Sequence, residues 1–411
     1  MLTANTWAQT SPDIKSIAFF LQDGVEILDF AGPMEVFTSA GFNVFTVAET
    51  KDPIKAMRVL TVVPDYSIDD APKADMVAFF GGGGATHKSQ QDNLKAWTKK
   101  QVENTDIQFS VCTGAFFLGE VGLLDGKTAT TFHSAIPHLQ ERFPKATVRD
   151  DVRFVDNGLV ITTAGISAGI DGALHLVSKI HGKDFAQSVA DNMEYFGWEP
   201  EKGLVFDNPF IQNIQEKGIE AALKAADEKN IVFKGELLNL GNSLWAKKQQ
   251  EKALAVFDYM LEKYPLSAID CSTIRKVFAA SGRETPPSEA EFFAMIENDN
   301  MQKARSILEQ TKINTPNWQI FREWRINVLG YQYLGKQDWD NAIGVFQLNV
   351  EAYPNSFNTY DSLGEAYMLA GKKDLAIKNY KKSLALNPNN ENGVKMLKKL
   401  NEKEGMGKKS K

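Results

Sequence analysis

The sequence predicts a mostly parallel β-sheet covered by helices, followed by an all-α solenoid of paired helices. Two observations predict it. Between Ile14 and Tyr195, short apolar runs rich in Val, Ile and Phe alternate with helical stretches, the pattern of buried strands joined by crossover helices. Further on, Gly, Ala, aromatic and Pro positions recur at fixed spacing in helical sequence, the mark of stacked helix pairs. A chain of 411 residues also exceeds one usual core, so two domains are expected.

In chain order, strands are predicted at Ile17 to Leu21, Asn43 to Ala48, Met76 to Phe80, Ile107 to Val111 and Leu159 to Thr163. Helices are predicted at Pro33 to Ala40, Asn93 to Glu103, Ala115 to Leu124 and Ala168 to His181. Sites on such sheets gather at the carboxyl ends of the strands. Trp198 to Pro209, with Gly, Pro and acidic residues, reads as a linker. The expected division is a tail at 1–13, the α/β domain at 14–197, the linker at 198–209, the helical domain at 210–402 and a basic tail at 403–411.

Gly330, Ala342, Phe346 and Pro354 return 34 residues later as Gly364, Ala376, Tyr380 and Pro388. A third set, Gly241, Ala253, Phe257 and Pro265, keeps the same internal spacing, with helices at Leu237 to Ala246 and Gln250 to Lys263. This is the period of a tetratricopeptide repeat. Small Gly and Ala let two helices approach, the aromatic is expected to fill the space between neighbouring pairs, and Pro ends the second helix. A larger duplication relates Ile211 to Glu228 with Phe292 to Gln310, and Pro286-Pro287 breaks the array.

Charge excludes little beyond nucleic acid. Lys+Arg 46 against Asp+Glu 52 gives a net charge of -6, with no basic-aromatic cluster in the first half. Only the stretch from Gly371 to Lys411 is basic, with twelve Lys against four acids, which reads as a solvated helix face and a frayed tail. No apolar run is long enough to span a membrane. Thr6-Trp7-Ala8-Gln9 is like the end of a secretory signal without the preceding basic and apolar regions. The compartment is left open by the sequence: cytoplasmic is expected for the chain as given, and periplasmic or secreted if a signal segment was lost upstream of Gln9.

Cys112 ends an apolar run and precedes Thr113 and Gly114. Strand, tight turn and helix follow one another there, with the sulfur at the corner. Such a corner aims a helix amino terminus at the thiol and favours thiolate, making Cys112 a candidate nucleophile with Thr113 offering its backbone N–H and hydroxyl. Cys271 lies far off in helical sequence and reads as structural, so a disulfide is not expected. Gly81 to Gly84 follow a strand, where glycines let backbone N–H groups turn toward an anion. No zinc spacing, phosphate-binding loop or dinucleotide fingerprint is present, and no cofactor or metal is implied.

Four blocks carry a resemblance: Asp23 to Phe37, Val111 to Ala115, Gly122 to Thr131 and Thr163 to Asp171. In this order they resemble the ThiJ/PfpI superfamily, with its class I glutaminase-like, flavodoxin-like fold, and within it the isonitrile-hydratase and amidase-regulator branch. The resemblance implies that Asp29 is an acid near the nucleophile, moving protons to and from the thiol. It also implies that Gly82 pairs with Thr113 as an oxyanion hole. Phe80 stands where the family often has Pro. Related sequences place His directly after the Thr-Thr pair, whereas here Phe132 intervenes before His133. If the strand continues, that shift turns the imidazole to the opposite face, so Cys112 with Asp29 is the pair expected rather than a Cys-His dyad. His87, after the glycine run, is a candidate for substrate contact, and His138, His175 and His181 have no evident partner.

Three readings of function follow. The first, which the presence of both Cys112 and Asp29 favours, is a Cys112-dependent enzyme on a small carbon-nitrogen compound; the resemblance implies hydration of an isonitrile to an N-substituted formamide, with amide or glyoxal chemistry open on the same scaffold. The second is a metabolite or redox sensor whose repeats signal to a protein or peptide partner; related regulators carry a DNA-binding helix-turn-helix domain where this chain has repeats. The third makes the repeats the working part, with the α/β domain as the base of a homodimer.

Overall fold

The computed structural model describes residues 12–225, 231–298 and 300–407, with side chains as far as residue 401 outside the gaps. The signal-like segment Thr6 to Gln9, the end of the duplicated stretch at Glu228 and the side chains of the basic tail lie outside the described residues.

By packing, the chain divides into one unit from Met1 to Phe257 and another from Asp258 to Lys411. The first is built on an eight-stranded sheet. From one edge to the other its strands are Leu204–Val205, Phe154–Asp156, Val160–Thr163, Ile107–Val111, Met76–Phe79, Ser16–Phe20, Asn43–Ala48 and Tyr66–Ser67. Every pairing is parallel except that of Phe154–Asp156 with Val160–Thr163. Both faces are covered, which is why the strands are apolar throughout. Ile17 and Phe19 enter one core with Met76, Ala78 and Phe109, while Ala18 and Phe20 enter the other with Val77, Phe79 and Phe117.

Two departures from the sequence reading matter for the site. The first helix runs Ile27–Ser39 and holds Pro33 inside it, so it begins six residues before the predicted start and carries Asp29 in its first turn. Proline tolerates this because its fixed φ is helical, at the loss of one backbone hydrogen bond. The helix after Cys112 is short, Ala115–Glu120, entered through a 3-10 turn at Cys112–Gly114.

Trp198 to Pro209, expected as a linker, joins the fold instead. Trp198 is buried, Leu204–Val205 is the edge strand beside Phe154–Asp156, and Pro209 already begins the helix Pro209–Lys217. The repeat helix Lys234–Ala246 then seats on the helix Ala168–His181. A Cβ on Gly235 would stand 2.5 Å from the Ser178 carbonyl oxygen, an approach that only glycine permits. A buried charge chain crosses this contact. Asp156, fully buried, accepts from Lys179 Nζ at 2.8 Å and meets His175 Nε2 at 2.7 Å, and Lys179 lies 3.7 Å from Glu236. Burial pushes the Asp156 carboxyl up, but the Lys179 charge and the His175 hydrogen bond outweigh it and hold the group at about 2. His175 thus gains the partner that its sequence did not reveal.

The helix pairs form as the spacing predicts: Lys234–Ala246 with Gln250–Lys263, Glu323–Gly335 with Trp339–Ala352, and Phe357–Leu369 with Lys373–Leu386. The aromatic position corrects one expectation, because it fills the space inside its own pair. A Cβ on Gly241 would lie 2.5 Å from the Phe257 ring, one on Gly330 2.5 Å from Phe346, and one on Gly364 3.2 Å from Tyr380. Each ring lies flat on a bare backbone. Cys271 is buried, with its sulfur accepting from the Gln319 N–H at 3.3 Å, a structural thiol as expected.

Two stability outcomes follow. Gly→Ala in a helix interior normally stabilises by about 1 kcal/mol, yet Gly330→Ala is expected to destabilise by about 1–3 kcal/mol through overpacking against Phe346; urea unfolding followed by helical ellipticity reads the sign. Lys179→Met strips Asp156 of its Lys partner and leaves the buried carboxylate to the His175 ring and the Gly158 N–H, and a loss of about 3–5 kcal/mol is expected in the same assay.

Candidate active site

Three neighbouring strands, Met76–Phe79, Ile107–Val111 and Val160–Thr163, end on the same edge of the sheet and deliver Gly81, Cys112 and Ile166 there. The helix Ile27–Ser39 brings Asp29 to them. Cys112 adopts φ 60°, a left-handed conformation uncommon outside glycine. Three contacts hold it. The Thr131 hydroxyl donates to the Cys112 carbonyl at 2.7 Å, the Cys112 N–H donates to the Ala164 carbonyl at 3.2 Å, and the turn rests on Phe79, whose carbonyl oxygen would lie 2.2 Å from a Cβ on Gly114.

Asp29 is fully buried and faces the thiol. Its Oδ1 accepts the Ile166 N–H at 2.7 Å and its Oδ2 the Gly81 N–H at 3.1 Å, and the Cys112 sulfur lies beside Oδ2 over the bare Gly81 backbone. Ile166 also has positive φ, 58°, so two strained residues converge on one carboxyl. Gly81 must lack a side chain, since a Cβ there would sit 2.6 Å from the Cys112 sulfur and 2.8 Å from Asp29 Oδ2.

The electrostatics revise the thiolate expectation. Burial pushes the Cys112 thiol up, and the neighbouring Asp29 charge adds to this, against the lowering effect of hydrogen bonds from the Thr113 backbone and hydroxyl. Burial likewise pushes Asp29 up to about 6, although hydrogen bonds from Ile166, Cys112 and Gly81 pull it down. At neutral pH the pair therefore rests as a thiol donating to a carboxylate, ready to pass its proton as the sulfur attacks. The two titrations are coupled.

Thr113 and Gly82 do meet: the Gly82 N–H donates to the Thr113 hydroxyl at 3.3 Å. Gly82, Gly83 and Gly84 all have positive φ, and the Gln22 amide ties this loop down by donating to the Phe80 carbonyl at 2.9 Å and the Gly82 carbonyl at 3.0 Å. His133 is exposed in a 3-10 turn, because the strand before it, Thr128–Ala129, stops short. Phe132 takes the place near the thiol: a Cβ on Gly165 would lie 2.5 Å from the Phe132 ring and 3.2 Å from the Cys112 sulfur. His87 is exposed in the short helix Ala85–Lys88, and His138 stacks on Phe116. The roles of Thr131, Phe132 and Ile166 are not evident in the sequence, though each stands in or beside a matching block, and Gly81 is read there only as part of the glycine run. Among the described residues no group of three or more His, Cys, Asp or Glu side chains is placed to hold a metal ion, and no helix is long and apolar enough to cross a membrane.

A parallel-sheet domain with a cysteine on a strained bend and a buried carboxyl against it defines the class. Residues 15–179 match the DJ-1/PfpI family, and 237–267 and 357–390 match tetratricopeptide repeats. An isonitrile hydratase from Pseudomonas putida is 34% identical over 180 residues, covering 44% of this chain and 78% of that protein. The chain belongs to the DJ-1/PfpI family through its first domain. The HTH-type transcriptional regulator GbdR of Pseudomonas aeruginosa is 25% identical over 188 residues, covering 44% of this chain but only 51% of the regulator. A solved ThiJ/PfpI family protein from Pseudomonas syringae is 23% identical with a TM-score of 0.42, covering 55% of this chain and 96% of that one.

Alkylation of Cys112 by iodoacetamide, mapped by mass, is expected to accelerate with pH around a midpoint near 6, as Asp29 ionises. In Asp29→Asn the labelling should rise only at alkaline pH. The same profile in both proteins would separate the carboxyl from the thiol.

Proposed function

We propose that the α/β domain is a cysteine-dependent enzyme acting on a small carbon-nitrogen compound, with isonitrile hydration as the reaction, and that the repeats bind a protein partner. The Cys112–Asp29 contact carries this reading, since a pure binding site has no use for a nucleophile hydrogen-bonded to a buried base. Support for the substrate class comes from the isonitrile hydratase relative and from exposed Leu28 and Ile166, apolar residues adjoining Asp29 in sequence and by hydrogen bond, suited to an alkyl substituent.

The steps balance without a cofactor. Asp29 takes the thiol proton as sulfur bonds to the terminal isonitrile carbon, then returns that proton to the carbon, giving a thioimidate. Asp29 next deprotonates a water whose oxygen adds to the same carbon, and the proton passes to nitrogen. In the resulting adduct the Gly82 N–H, giving up its bond to the Thr113 hydroxyl, is assigned to the oxygen together with the Thr113 N–H. Asp29 removes the hydroxyl proton, the carbon-sulfur bond breaks with its electron pair on sulfur, and the proton returns to the thiol. The N-substituted formamide leaves.

A second reading, a metabolite or redox sensor, is favoured by the similarity of the same domain to transcriptional regulators. One assay decides. Formamide production from cyclohexyl isocyanide, followed by proton NMR, is expected in the native protein, absent in Cys112→Ala and lowered about 100-fold or more in Asp29→Asn. Absence of turnover in the native protein, or turnover that survives Cys112→Ala, contradicts the enzyme reading; a ligand-dependent melting shift without turnover supports the sensor.

A further inference from the structure

The helix Glu323–Gly335 turns Trp324, Val328 and Tyr331 outward at steps of four and three residues, one face of a helix. They are 57%, 48% and 40% exposed, an apolar ridge in a repeat whose other large apolar side chains are mostly packed. Beside it stands the first helix of the next repeat, Phe357–Leu369. The Tyr331 hydroxyl joins the two by donating to Glu365 Oε2 at 2.9 Å. Asp361 precedes Glu365 by one turn and so shares its face.

Neither carboxylate has an ion-pair partner among the described residues. Asp361 accepts only the neutral amides of Asn390 and Asn392, both at 2.7 Å, and Glu365 only the Tyr331 hydroxyl. The cations near Trp324 are already committed, since Arg322 and Arg325 lie 2.7 and 3.7 Å from Glu289. Two further polar groups are unsatisfied here. Tyr380 is fully buried and its hydroxyl has no hydrogen-bond partner; burial raises its pKa, and the charges of Asp361 and Glu365, which the hydroxyl faces, raise it further. Asn327, three residues after Trp324 and four before Tyr331, keeps its buried Oδ1 unpaired. Uncompensated carboxylates beside exposed aromatics call for a ligand that brings positive charge and apolar surface together.

We propose that the face running from Trp324 to Glu365 binds an extended segment of a partner protein in which a Lys or Arg side chain adjoins an apolar residue. The cation sits between Asp361 and Glu365, and the apolar side chain covers the Trp324–Val328–Tyr331 ridge. This assignment rests on the reading of the repeats as a protein-binding surface and adds the chemistry of the segment bound.

The test pans a phage-displayed random octapeptide library on the full chain, then measures binding of the most enriched peptide, labelled with fluorescein, by anisotropy. Enrichment of Lys or Arg next to aliphatic or aromatic residues is expected. The double variant Asp361→Asn/Glu365→Gln should weaken binding about tenfold or more, and Trp324→Ala, at an exposed position, should weaken it comparably without changing the melting temperature. Enrichment of acidic or uncharged peptides, or equal affinity for both variants and the native chain, overturns the proposal while leaving peptide binding by the repeats intact. No enrichment of any sequence overturns both.

Discussion

A carboxyl group with no solvent exposure, pressed against a thiol, is the constraint on which the first domain depends. Burying Asp29 is costly, and the fold spends backbone geometry to meet that cost. The Ile166 and Gly81 N–H groups are aimed at its two oxygens, one from a left-handed residue and the other from a residue that tolerates no side chain. The left-handed bend at Cys112 then brings the sulfur within reach. These are the settings in which strain serves preorganisation, and they explain why four chain segments must meet within a few ångströms. The result differs from a thiol activated by a helix terminus. Here the sulfur keeps its proton at rest and the carboxylate, poised near neutrality, removes it when a substrate arrives.

The strands were legible because burial on both faces forces continuous apolar runs, and Asn43–Ala48, Ile107–Val111 and the helix Ala168–His181 were predicted to the residue. The bend at Cys112 was legible from Val111 to Gly114 for the same local reason. Asp29 was not legible from local signals. Pro33 reads as a helix start, which strands Asp29 in a loop, and only the resemblance to a family pointed to it. Its partner Ile166 lies 137 residues away, and a hydrogen bond of that range leaves no periodic trace. His133 shows the complementary limit: the one-residue shift was visible, but its outcome turned on where the strand Thr128–Ala129 ends, not on the alternation of faces.

The repeats were legible for a different reason. Gly330 and Phe346 occur at fixed separation because the ring needs a helix without a side chain beneath it, and that demand recurs as Gly241 with Phe257 and Gly364 with Tyr380. By contrast, the two-residue strand Leu204–Val205 exists only through its pairing with Val155 and Asp156, so its sequence reads as a spacer. The charge chain from Asp156 through Lys179 to Glu236 was hidden in the same way, since each member alone resembles a surface residue. Together they show that the first repeat helix is part of the first folded unit rather than an appendage to it.

The chemistry of the first domain requires the Asp29 carboxyl to be both perturbed and coupled to the sulfur. Carbon-13 NMR of aspartate-labelled protein, with the Asp29 resonance assigned by substitution, measures this directly. A titration midpoint near 6 is predicted, moving higher in Cys112→Ala because the thiol hydrogen bond that favours the carboxylate is gone. A midpoint near 4, unchanged by that substitution, would contradict the account.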